Sequence, residues 1–308
     1  MISATGQQFS LRYVSVNNSW KATIAQIGAA IRELSVNDIE LVQGWHVEDY
    51  PRYCPGVVMA PWANRIDGGR WEYQGRTRQF DINIVNQQNS NHGLLLDYPY
   101  QVVEQSESSV TLSATIYPRD AYPFLVDTWV RYELGENGLT VTHGAVNRSA
   151  EAAPYGVGGH PYFKYSKVDT GDLTLTLSAK SYLPTTDRQI PTGIDPVAGT
   201  RFDLTGGGLI RENFIDQDFT DLEFGIDGLA HTTLTTSDGE GVDVWQDSNF
   251  KHVVIFTPSF FPTREGEVFA AAIEPATLGP NAFNTGKDLM WLATDQEWSG
   301  SWGVSLVG

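Results

Sequence analysis

Cysteine is almost missing from this 308-residue chain: Cys54 stands alone, so no internal disulfide framework can form. Cations are scarce as well, 20 Lys and Arg against 37 Asp and Glu, for a formal charge of −17. Phosphate backbones are bound by clustered cations that release counterions, and no segment here carries a run of Lys or Arg, which argues against nucleic acid as a partner. Long apolar runs are absent too; no segment approaches the roughly 18 residues a spanning helix requires, so no membrane association is expected. Met1 to Leu11 lacks the basic stretch followed by an apolar one that marks a secretory signal, and a cytoplasmic protein is the expectation. Nothing around Tyr53-Cys54-Pro55 activates the thiol, which reads as a buried, inert cysteine.

What is present is alternation. Apolar residues recur at period two and are separated by Gly, Asn, Asp and Pro clusters, the pattern of half-buried antiparallel strands. Leu173, Leu175 and Leu177 interleave with Thr174, Thr176 and Ser178; Val110 to Ile116, Val130 to Leu134 and Leu139 to Thr142 read likewise. Asn137-Gly138, Gln74-Gly75 and Asp238-Gly239 mark hairpin turns. Ile24, Ile27, Ile31 and Leu34 fall at helical spacing, yet Gly28 weakens a helix and Lys21 to Ile24 provide no cap, so this stretch is assigned to strand. No Pro-rich linker divides the chain and no fixed repeat suggests a propeller. Residues 1–308 are therefore expected to form one all-β domain of packed or strongly curved sheets that bury many of its nine Trp.

Among the six histidines, His92 lies in the polar loop Asn89 to Gly93, and His160 lies in Gly158-Gly159-His160-Pro161-Tyr162-Phe163, where glycines allow close backbone approach. Each reads equally as a satisfied loop or core histidine. Glu274 ends the apolar run Val268 to Ile273; burial there would raise its pKa towards the range of a general base, while a solvent-facing strand end is the plain alternative. Asn64-Arg65 beside Trp62 combines planar donors with an aromatic face, a mixture suited to a hydroxylated ring. HExxH, paired cysteines, calcium-loop spacing, a phosphate loop and GxSxG are all absent, so no metal, nucleotide or serine-hydrolase site is indicated.

Taken in order, these segments resemble the aldose 1-epimerase (galactose mutarotase) family: Ala63-Asn64-Arg65-Ile66 with Gly68-Gly69 and Gly75, Asn91-His92-Gly93, His160-Pro161-Tyr162-Phe163, Asp216-Gln217-Asp218-Phe219, and Ile273-Glu274-Pro275 with Pro280 to Asn284. The resemblance implies a large antiparallel β-supersandwich that needs no metal or cofactor and interconverts the α and β anomers of a monosaccharide. It implies Glu274 as general base on O1, His160 as the acid at the ring oxygen and His92 as the second histidine near that oxygen. Arg65, Asn64, Asp216 and Tyr162 become the substrate-binding residues. Two departures, Pro275-Ala276-Thr277 after the glutamate and Asn281 where many members have Asp, make galactose a less secure substrate than a free hexose in general. Three alternatives accompany this reading: a glycoside hydrolase using Glu274 with Asp216, a sugar-binding or regulatory protein without turnover, and a mutarotase for a sulfonated or phosphorylated hexose. A monomer or homodimer is expected.

Overall fold

The computed structural model describes residues 3–308, and in it the alternating segments are strands. Nine of them form one antiparallel sheet in which Ser109–Ile116, Val126–Gly135, Gly138–Asn147, Glu297–Val307, Gly241–Gln246, Ala230–Thr235 and Thr174–Leu177 follow one another. A second, eight-stranded sheet runs Ala179–Tyr182, Asp216–Leu222, His252–Phe256, Ala271–Ala276, Gly158–Gly159 and Val58–Met59, with Tyr162–Phe163 also paired to Ala271–Ala276. Residues 8–40 add a four-stranded sheet. The β-supersandwich expected from the resemblance is what the chain forms, and among the described residues no helix is long and apolar enough to cross a membrane.

Period-two alternation decides which side of each strand is inside. In the second sheet Phe219, Val253, Ile255, Ala271 and Ile273 enter the main core together with Val242, Val244, Leu175 and Val304 of the first. The intervening residues Asp216, Asp218, Val254, Phe256, Ala272 and Glu274 lie on the opposite face. Part of that face is covered by a smaller apolar cluster of Tyr162, Phe261, Ala270 and Ala272.

The turns follow the local sequence with one shift. Gln74-Gly75 closes Arg70–Tyr73 against Arg76–Gln79 with φ of 50° and 70°, as a two-residue hairpin requires. Gly135 pairs with Gly138, so the next hairpin turns on Glu136-Asn137 rather than on Asn137-Gly138. Gly138 serves a different purpose: a Cβ there would lie 2.0 Å from the carbonyl oxygen of Val304. The stretch from Ile24 to Leu34 is strand, but broken, because Ser19–Ala25 and Ile31–Val36 pair with each other across a turn at 26–30. Gly28 sits in that turn at φ 66°.

Candidate active site

Glu274 sits in the middle of the second sheet with a side chain only 3% exposed. Beside it, His160 leaves Gly158–Gly159 and is pinned by its main chain, donating to the Val57 carbonyl at 3.0 Å and accepting from the Gly56 N–H at 2.7 Å. This brings His160 Nε2 to 3.4 Å from Glu274 Oε1. Within the protein, Glu274 Oε2 and His160 Nδ1 are buried without hydrogen-bond partners. The Tyr162 ring stacks on His160 with centroids 5.2 Å apart, and its hydroxyl donates to the Tyr53 carbonyl at 3.2 Å.

His92 arrives on a separate two-stranded ribbon in which Arg65–Asp67 pairs with Asn89–Asn91. Backbone geometry at Asn64, His92 and Gly93 and one hydrogen bond aim it. Asn64 and His92 have φ of 61° and Gly93 has φ of 82°, while a Cβ on Gly93 would lie 2.1 Å from the Ala60 carbonyl oxygen, so only glycine fits. The Asn64 N–H donates to His92 Nδ1 at 3.2 Å, which makes Nδ1 an acceptor and leaves the proton of the neutral ring on Nε2. The His92 and His160 ring centroids are 5.1 Å apart, edge to face.

Arg65 is held by both neighbours, donating to Asn64 Oδ1 at 2.9 Å and to Gln87 Oε1 at 2.8 Å. Asn64 thus spends its side-chain oxygen on orienting the guanidinium. Asp216 lies on the same sheet face as Glu274 and accepts from Gln189 Nε2 at 2.9 Å. Trp62 departs from the expectation. It is 1% exposed and packed on Phe80 at 4.3 Å and Phe283 at 5.6 Å, so it belongs to the aromatic core and presents no face to a ligand.

Burial governs the titration of these groups. It drives the Glu274 carboxyl well above its ordinary range, reinforced by the Asp216 carboxylate and opposed by the Arg65 guanidinium. It pushes His160 down to about 4 and His92 well below its ordinary range, with the latter also repelled by charge on His160 and Arg65. A low-dielectric pocket disfavours separated charge, so the pair Glu274–His160 holds a single proton that rests on Glu274, with His160 neutral across the 3.4 Å contact. Such a pair can take a proton on one side of a ligand and deliver one on the other. Among the described residues, no three His, Cys, Asp or Glu side chains are grouped to hold a metal ion.

A family model described as aldose 1-epimerase matches residues 12–305. The chain belongs to the aldose 1-epimerase family. This epimerase is 32% identical over 289 residues to the uncharacterized protein YihR of Escherichia coli K12, covering 94% of this chain and 89% of that one. It is 30% identical to galactose mutarotase of Rattus norvegicus over 210 residues, 64% of this chain and 60% of the relative. A solved GalM/aldose epimerase homologue from C. elegans superposes with a TM-score of 0.83 at 18% identity, covering 97% of this chain and 99% of that one, which shows a common fold.

Several residues around these side chains carry no local signal in the sequence. Gln87 and Gln189, which orient Arg65 and Asp216, lie in loops where a glutamine carries no local signal. His252, one of the histidines without unusual neighbours in sequence, is fully buried between two aspartates.

Proposed function

We propose that this epimerase interconverts the α and β anomers of a neutral free hexose, with Glu274 and His160 moving the protons. The observation that carries the reading is the buried 3.4 Å contact between His160 Nε2 and Glu274 Oε1. In the productive tautomer Glu274 is a carboxylate and His160 an imidazolium. Glu274 removes the O1 proton while His160 protonates O5; the C1–O5 bond breaks and O1 becomes the aldehyde oxygen. After rotation about C1–C2, His160 takes the proton back from O5, which attacks the other face of C1, and Glu274 returns its proton to O1. The pair ends as it began. Each group is worth about 10²- to 10⁴-fold in rate, or about 3–5 kcal/mol of barrier.

The Nε2–H of His92 donates towards the ring oxygen, Arg65 and Asp216 hold hydroxyls, and Asn64 and Tyr162 act by fixing Arg65 and His160. A glycosidase needs two carboxyl groups about 5–9.5 Å apart across the bond. Here the proton-bearing group facing Glu274 is an imidazole, while Asp216 lies two strands away on the sheet, with its Cα on the order of 12 Å from that of Glu274 by strand spacing.

The cavity of about 580 Å³ walled by Trp45, Tyr53, Cys54 and Gly93 includes none of His92, His160, Arg65, Asp216 and Glu274, so it is not assigned to the sugar. Arg78 and Arg264 bring no anion pocket: the first donates to the Asp120 carbonyl and the second makes a forked pair with Asp49. Polarimetry on fresh α-glucose, α-galactose, glucose 6-phosphate and a 6-sulfonated glucose is expected to rank the neutral sugars first in kcat/KM at low and high salt. Preference for an anionic sugar at both salt levels would replace the neutral assignment by an anionic hexose. Release of the phenol from an aryl glycoside would instead make the protein a glycosidase.

The shared proton also sets a pH profile. The active pair holds one proton, and the second binds only as pH falls through about 4, the depressed value of His160. Activity is therefore expected to stay level down to about pH 4, and to be lost at the alkaline end as Glu274 gives up the proton from its raised pKa. An acid limb near the ordinary histidine value of 6.5, in protein still folded by circular dichroism, would remove His160 from the proton relay.

A further inference from the structure

The sheet face that carries Glu274 holds a second buried charge cluster. Asp218 lies in register with Val254 and, one strand further, with Glu274, so the two carboxylates stand on either side of Val254. His252, with its side chain 1% exposed, presents Nδ1 to Asp218 Oδ1 at 2.7 Å and Nε2 to Asp288 Oδ2 at 3.2 Å. With a carboxylate on each ring nitrogen, only the imidazolium donates to both. Burial presses the His252 pKa down, but the two carboxylates outweigh it and bring it up to about 9. Asp288 also accepts from Lys251 Nζ at 2.9 Å, and Lys287 adds a positive charge felt by Asp218. Gly279 passes so near that a Cβ would lie 2.8 Å from His252 Cε1.

Asp288 belongs to the segment 279–289, whose other end reaches the sugar site. There the Asn281 N–H donates to the Arg65 carbonyl at 2.6 Å, and Asn281 Oδ1 accepts from the Asp67 N–H at 3.1 Å. A buried ion cluster is a poor way to gain stability, because an apolar replacement of similar volume is often neutral or better. What a doubly bonded imidazolium does provide is one fixed geometry for the three elements it joins.

We propose that Asp218, His252 and Asp288 form a latch that fixes segment 279–289 on the sheet and, through Asn281, sets the main chain of Arg65, making His252 and Asp288 positioning residues for sugar binding. This rests on Arg65 being a sugar ligand. The latch is complete below pH 6.5, where His252 would be charged even in the unfolded chain, and is released as pH rises through about 9. The sugar KM of the wild type is accordingly expected to rise above about pH 9.

Asp288→Asn keeps the shape and removes one charge. Amide exchange in 279–289 and 65–67 is expected to accelerate by about 10-fold or more as the segment opens locally. The sugar KM should rise about 5- to 10-fold with kcat within about 2-fold, and the alkaline rise in KM should move to lower pH because His252 holds its proton less tightly. Asn281→Ala should raise KM similarly, and the double variant should be no worse than Asn281→Ala alone, since both act on one path. Unchanged exchange, additive KM effects, or a fall in kcat at constant KM would overturn the latch. If Asp288→Asn does not fold, Lys251→Met removes only the outer, half-exposed cation; faster exchange in 279–289 is then expected, and none would overturn the proposal. Exchange needs no sugar, so unchanged exchange in an active enzyme rejects the latch alone, while altered exchange in a protein that turns over no sugar rejects the epimerase reading.

Discussion

Glu274→Gln is expected to lower kcat by at least about 10²-fold while the protein still binds sugar, because the amide keeps the shape of the side chain and loses the base. The site makes this a clean substitution. Glu274 is buried in the centre of a sheet strand flanked by Ile273 and Pro275, and its Oε2 has no hydrogen-bond partner within the protein that the amide would forfeit. Stopped polarimetry on α-glucose gives the rate, and isothermal titration gives the affinity. Near-normal turnover would take Glu274 out of the mechanism. Loss of affinity with kcat unchanged would make it a binding residue.

Trp62→Ala should act on stability and leave the chemistry alone. Trp62 is fully buried against Phe80 and Phe283, and Trp71 packs on both of these rings at 6.4 and 5.0 Å. Truncating such a side chain costs about 3–5 kcal/mol in lost transfer energy and cavity formation. For a chain of this size that lowers Tm by about 5–10 °C. A ring serving as a sugar platform would behave oppositely, with a raised KM and little thermal change. Calorimetry together with KM at 25 °C separates the two. A stable variant with weak sugar binding would return Trp62 to the ligand site, where its place beside Asn64-Arg65 in the chain suggested it belonged.

That misplacement shows where local sequence stops being informative. Alternation in Leu173–Ser178, Val110–Ile116 and Leu139–Thr142 identified strands because a residue's side of a sheet follows from period two alone. The Gln74-Gly75 hairpin was equally legible, since positive φ at two successive residues is a local steric demand. Which aromatic residue reaches the core is decided by partners far along the chain: Phe80 and Phe283 claim Trp62. In the same way, nothing near His252 in sequence points to Asp218 and Asp288, which join it only when three elements meet.

By itself the amino-acid sequence determined the β-rich architecture, the absence of a spanning helix, and, through five short motifs in order, the family and the residues to watch. Only the tertiary structure decided how those residues relate. It set His160 against Glu274, turned His92 by its Asn64 contact, committed Asn64 and Gln87 to Arg65, and buried Trp62. The physical reason is that strand propensity and turn chemistry act over a few residues. The meeting of positions 65, 92, 160, 216 and 274 depends on strand order and register, which are fixed when both faces of the second sheet find their packing partners.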